Sequence, residues 1–170
     1  DVAGEVGLGF WRDYRAFVRG INPDAYLVGE IWWEEYPDKL LDPAPFTKGD
    51  VFDAVMNYRW YRAVRHYFAQ APTAIPVSEM VDSLERFRSN LRPQVSAGMM
   101  NLISSHDVPR ASTSIFNQNK YKFQTGPSEG NPYKIHRPDE TAFQTLQLIL
   151  AQQFTYIGAP HIWAGDEMGM

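Results

Sequence analysis

The chain has 170 residues, a length suited to one domain, and its 44% hydrophobic and 21% charged content excludes a disordered chain. A formal net charge of -4 leaves no basic footprint for nucleic acid, and zero cysteine excludes a disulfide framework or a thiolate metal site. No run of about twenty apolar residues is present to cross a membrane as a helix.

Asp1 to Gly7 is Gly-rich and acidic and reads as a loop entering a helix. From Gly9 to Arg19 the apolar residues Phe10, Trp11, Tyr14, Phe17 and Val18 fall on one helical face. Gly20 is placed as the stop, and Asn22-Pro23 forbids continuation. Tyr26 to Trp32 then runs apolar into Gly29-Glu30, as a buried parallel strand does. Residues 34–50 carry Pro37, Pro43 and Pro45 without a period and are expected to be a loop. Val51 to Asn57 reads as a second strand, with Asp53 expected to form an internal ion pair. A helix follows from about Arg59 to Ala69, with Trp60, Tyr61, Val64, Tyr67 and Phe68 on its apolar face.

Residues 71–76 break that helix, and Ser78 is the expected N-cap of the next, whose face is Met80, Val81, Leu84, Phe87 and Leu91. The arginines of 59–65 and 86–92, with His66 among them, are expected on solvated faces. Met99 to Ser104 is a third strand ending in Ser105-His106-Asp107. Val108 to Arg137 is a long loop, the kind that forms functional walls, and His136 within it is left open. Pro138, Asp139 and Glu140 suit the first turn of a helix bearing Phe143, Leu146, Ile149, Leu150 and Phe154. Gly158 and Pro160 stop it, and His161 to Ala164 form a fourth strand leading into Gly165-Asp166-Glu167. His161 is read as a core or strand-end residue, and Asp166-Glu167 as structural support. The alternation of strand and helix predicts an α/β fold with a parallel sheet or barrel.

In such folds ligands bind beyond the C-terminal ends of the strands. Glu30 and Asp107 each follow a predicted strand, and Asp1 precedes a helix, at the end of whatever strand comes before it. Glu30, flanked by apolar and aromatic residues, is a candidate proton donor. Carboxylates on one rim can share glycoside hydrolysis. One attacks the anomeric carbon and another protonates the leaving oxygen, about 5–5.5 Å apart in a retaining enzyme. A third can stabilise the oxocarbenium-like transition state. The 14% aromatic share suits stacking of sugar rings as well as a large core.

The stretches DVAGEV, GEIW and NLISSHD resemble short regions of the α-amylase superfamily, glycoside hydrolase family 13. FWRDYRAFVRGINPDAYLVGEIW and GAPHIWAGDEMGM are similar to its neopullulanase and cyclomaltodextrinase branch, so the resemblance covers nearly the whole chain. It implies a (β/α)8 TIM barrel of which residues 1–170 form the C-terminal half, from the end of strand four through strand eight. The N-terminal half of the barrel and a C-terminal β domain would then be absent. A start at Asp1 without Met and an end just past a strand fit a piece of a longer chain.

By the same resemblance Asp1 is the nucleophile, Glu30 the general acid and then base, and Asp107 the transition-state stabiliser. His106 would bind the same sugar, Trp32 would be an aromatic platform, and Glu5 and Arg110 would serve neighbouring subsites. The implied substrates are starch-derived α-glucans or cyclodextrins, cleaved with retention. Transglycosylation on the same scaffold is the alternative, and a non-catalytic binding barrel is a further one. No cofactor is assigned, and no catalytic metal, since no His/Asp cluster has metal-ligand spacing; the family's calcium sites lie largely outside this stretch, and dimerisation of the parent depends on an N-terminal domain. Two departures stand out: the arginine two places before the nucleophile precedes the start, and position 4 is Gly where related enzymes often have Asn.

Overall fold

The structure, a computed structural model, describes residues 2–35, 39–71, 73–120 and 133–170. A 3₁₀ turn at Ala3–Glu5 leads into helix α1 (Leu8–Ile21) and strand β1 (Val28–Gly29). Strands β2 (Trp33–Glu35) and β3 (Lys39–Leu40) pair antiparallel. A 3₁₀ turn at Ala44–Phe46 precedes β4 (Ala54–Val55) and α2 (Tyr58–Val64). Then come α3 (Val77–Ser89), α4 (Pro93–Gly98), β5 (Met100–Leu102), α5 (Ala111–Ile115), α6 (Glu140–Thr155) and β6 (Ala159–His161).

β1 pairs with β4 and β5 with β6, both parallel, and a parallel bridge between Met56 and Met100 joins the two pairs. The result is a row of four parallel strands in chain order, the α/β architecture that the alternation predicts. One apolar cluster (Tyr58, Trp60, Val64, Leu102, Ile103, Ile149) packs α2 and α6 against β5. A second (Ile31, Val51, Phe52, Val55, Phe87, Met99) fills the side toward β1. Asp53 makes the expected internal ion pairs, at 2.8 Å to Arg15 and 3.0 Å to Arg19, which tie α1 to the entry of β4. Burial pushes its carboxyl up, but the Arg15 hydrogen bond, the Leu27 N–H and both guanidinium charges outweigh that and leave it below the ordinary value.

Several expectations are corrected. The stretch 34–50 is not a plain loop, because β2 and β3 form a hairpin within it. Gly20 does not stop α1; the helix runs to Ile21 and the Asn22 N–H closes it on the Val18 carbonyl. Ser78 does not cap α3, whose first residue is Val77 with extended Pro76 before it. Asn57 and Asp139 are the side chains that do cap, accepting from Trp60 N at 3.1 Å and Ala142 N at 2.8 Å. The expected loop 108–137 contains α5, and its residues 121–132 lie outside the described residues. β6 begins two residues before its expected start and includes Pro160. Among the described residues β6 pairs only with β5, and on such an edge the missing N–H of proline costs no ladder bond.

The helix from about Arg59 divides after Val64, and Arg65–Ala69 form a π-helical turn. That turn rotates Arg65 and His66 inward, so neither is solvated as expected: both are 2% exposed. Burial, and then the charges of Arg62 and Arg65, push the His66 imidazole down to about 3. Its folded value thus lies below the ordinary one of about 6.5, and an unfolded chain takes up the proton first as pH falls. Stability from His66 is complete above about pH 6.5 and drains away toward pH 3. His66→Gln is expected to remove about 2 kcal/mol of the stability lost between pH 7 and pH 5, read from urea midpoints at the two pH values. An unchanged pH dependence would show that the folded protein takes up the His66 proton as readily as the unfolded chain does.

Candidate active site

The site is built on the exits of β1 and β5. A Cβ on Gly29 would stand 2.4 Å from the Phe52 ring, so only glycine lets β1 lie this close to the core. The next residue, Glu30, therefore leaves the strand beneath the surface and is 5% exposed. Its Oε1 accepts a hydrogen bond from the Tyr58 hydroxyl at 2.7 Å, and its Oε2 accepts from the Val2 N–H at 3.3 Å. The Ala3 N–H donates to the Glu30 carbonyl at 2.9 Å. Val2 has φ +34°, a left-handed conformation that is strained for a β-branched residue. The bend carries two successive N–H groups to Glu30.

At the second exit, Ser104 and Ser105 are buried and His106 and Asp107 emerge. The Asp107 N–H donates to Ser105 Oγ at 3.1 Å, and His106 Nε2 lies 3.1 Å from Asp107 Oδ2. Parallel pairing through β4 puts the ends of β1 and β5 on one rim. Tyr58 joins them, since its hydroxyl bonds Glu30, also meets Ser105, and feels the charge of Asp107. Burial first, and then the bond to Glu30, raise this phenol far above its ordinary value, so it remains a neutral donor.

Of the residues singled out from the sequence, Glu30, Asp107, His106 and Trp32 come together on this rim. The Trp32 ring meets Tyr58 edge-on with centroids 4.4 Å apart, and Trp33 backs both at 4.5 and 4.8 Å. Glu5 is exposed at the end of the first 3₁₀ turn. Arg110 turns to the loop after β6, donating to the Ala164 carbonyl and lying 3.7 Å from Asp166 Oδ1. Asp166 is buried and accepts from the Trp163 N–H at 3.1 Å, the structural support expected of it. Desolvation raises its carboxyl, against the pull of Ser104, the Trp163 N–H, Arg110 and Arg65. His161 ends β6 beside Trp163, and exposed His136 stacks on Phe116 at 4.1 Å. Asp1 lies outside the described residues.

Sequence reading missed Tyr58, which falls between the strand expected to end at Asn57 and the helix expected from about Arg59, and which the structure makes the first residue of α2. The available signal was its place one residue after the capping Asn57, directly past a strand end. It also missed Arg65, which donates to the Ile103 carbonyl at 2.6 Å and the Pro109 carbonyl at 3.2 Å, bracketing the loop that carries His106 and Asp107.

Parallel strands with acids at their C-terminal exits define an α/β domain with a strand-end rim, the place where such folds bind their ligands. Residues 6–170 match the alpha amylase catalytic domain, and the chain belongs to that family. It is 35% identical over 170 residues to neopullulanase 2 of Thermoactinomyces vulgaris and 34% identical over 170 residues to a cyclomaltodextrinase of Geobacillus thermopakistaniensis. In both alignments 100% of this chain spans 23% of the relative's length. Among solved structures, the ligand-free cyclic alpha-maltosyl-(1→6)-maltose hydrolase of Arthrobacter globiformis resembles it with a TM-score of 0.72 at 26% identity. That match covers 100% of this chain and 31% of the other.

Proposed function

We propose that this chain is part of a retaining hydrolase of α-glucosidic bonds in starch-derived glucans or cyclodextrins. The stretch would supply the barrel from the end of strand four through strand eight. The observation that carries the reading is Glu30: a carboxyl almost sealed from water at a strand exit, held by a hydroxyl and an amide, with Asp107 on the same rim. The relatives named neopullulanase and cyclomaltodextrinase support the substrate class.

In the first step Asp1 attacks the anomeric carbon while the glycosidic C–O bond breaks and Glu30 gives its proton to the departing oxygen. Asp107 and His106 hold hydroxyls of the ring as positive charge builds on it, and Trp32 supports the leaving sugar. In the second step Glu30 takes a proton from water, the water oxygen bonds to the anomeric carbon, and the Asp1 ester is released. The chain alone is expected to be inactive and poorly soluble. One face of α1 leaves Phe17 69% and Ile21 73% exposed, and β1 pairs on one side only among the described residues.

The test uses the full-length enzyme containing this stretch, with maltotriose or β-cyclodextrin followed by proton NMR. The reducing end released first should be the α-anomer. A β-anomer would replace retention by inversion, and no reducing sugar at all would favour a binding barrel. The isolated 170 residues, assayed alongside, should release none. Homodimerisation of the parent belongs to the same proposal and is read by sedimentation.

A further inference from the structure

The two oxygens of Glu30 are held unequally. Among the described residues, Oε1 takes a 2.7 Å bond from the Tyr58 hydroxyl, whereas Oε2 has the longer 3.3 Å approach of the Val2 N–H. A carboxylic acid that accepts a strong hydrogen bond on one oxygen keeps its own proton on the other. Tyr58 is also fixed in place. It is 2% exposed, and it follows Asn57, whose side chain caps α2 and donates to Asn101 Oδ1 at 2.7 Å. Its ring is boxed by Trp32, Trp33 and Tyr61, the last with centroids 5.9 Å away at 80°.

We propose that Tyr58 is the positioning residue of the acid: its hydroxyl pins Oε1 of Glu30 and so presents the proton on Oε2 to the leaving oxygen. This rests on the reading of Glu30 as general acid. The hydroxyl stays protonated throughout, because burial and the Glu30 bond hold the phenol far above its ordinary range. Tyr58 therefore does not transfer a proton itself.

Tyr58→Phe retains the ring and removes only the donor. In the full-length enzyme, kcat/KM is measured for two substrates, maltotriose and α-maltosyl fluoride. Fluoride leaves with little help from an acid, whereas a sugar alkoxide needs the proton. Tyr58→Phe should lower kcat/KM for maltotriose by about 10- to 100-fold, part of the roughly 10²–10⁴ that a positioned acid supplies, and spare the fluoride within about threefold. The ratio of the two values in one preparation cancels any loss of folded protein. Glu30→Gln is run alongside and should show the same dependence on the leaving group, more strongly. If Tyr58→Phe lowers both substrates alike, or neither, while Glu30→Gln discriminates, the hydroxyl serves the fold alone and the inference falls. If Glu30→Gln itself does not discriminate, the assignment of the acid fails first and takes the inference with it.

Discussion

Glu30→Gln in the full-length enzyme is expected to cut turnover of maltotriose or β-cyclodextrin by about 10²–10⁴-fold with little change in fold. The amide keeps the size of the side chain and can still accept from Tyr58, so the buried site remains occupied and hydrogen-bonded. What it loses is the proton for the leaving oxygen and the base for the second step. Steady-state kinetics with thermal unfolding of the variant separates chemistry from stability. A variant within about threefold of the parent would remove Glu30 from the mechanism. It would also revive a non-catalytic barrel, to which this carboxyl should not matter.

Arg65→Met is expected to be the most damaging substitution outside the rim, at about 3 kcal/mol or more in a urea titration. The guanidinium lies over the Tyr61 ring, donates to the Ile103 and Pro109 carbonyls and to Ser114 Oγ, and helps balance the buried charge of Asp166. Methionine fills the volume but leaves these acceptors buried without a donor, and each such loss costs about 1–3 kcal/mol. Because Ile103 and Pro109 flank the segment with His106 and Asp107, kcat should fall together with stability. A loss below about 1 kcal/mol would mean that water replaces the guanidinium and that the loop is held by other contacts.

Sequence alone determined the features that are local. Apolar runs ending at Gly29-Glu30 and at Ser105-His106-Asp107 placed two carboxylates at strand exits. Proline and glycine punctuation separated the elements, and the strand–helix alternation required parallel pairing. The short family motifs carried the rest of that reading, down to which acids to watch. These signals survive because backbone preference and side-chain period depend on near neighbours.

Tertiary structure decided what covers each face and which distant groups meet. The stripe on α1 was read as one face, yet its Phe10 and Phe17 lie open, because periodicity says which residues point together and not whether anything packs on them. Arg65 and His66 looked like a solvated run until a single π-helical turn rotated them inward. The bond from Tyr58 to Glu30 spans 28 positions, a separation at which neither spacing nor composition carries a signal. Only folding brings a phenol and a carboxyl that far apart in the chain into the same dry pocket, where their hydrogen bond faces little competition from water.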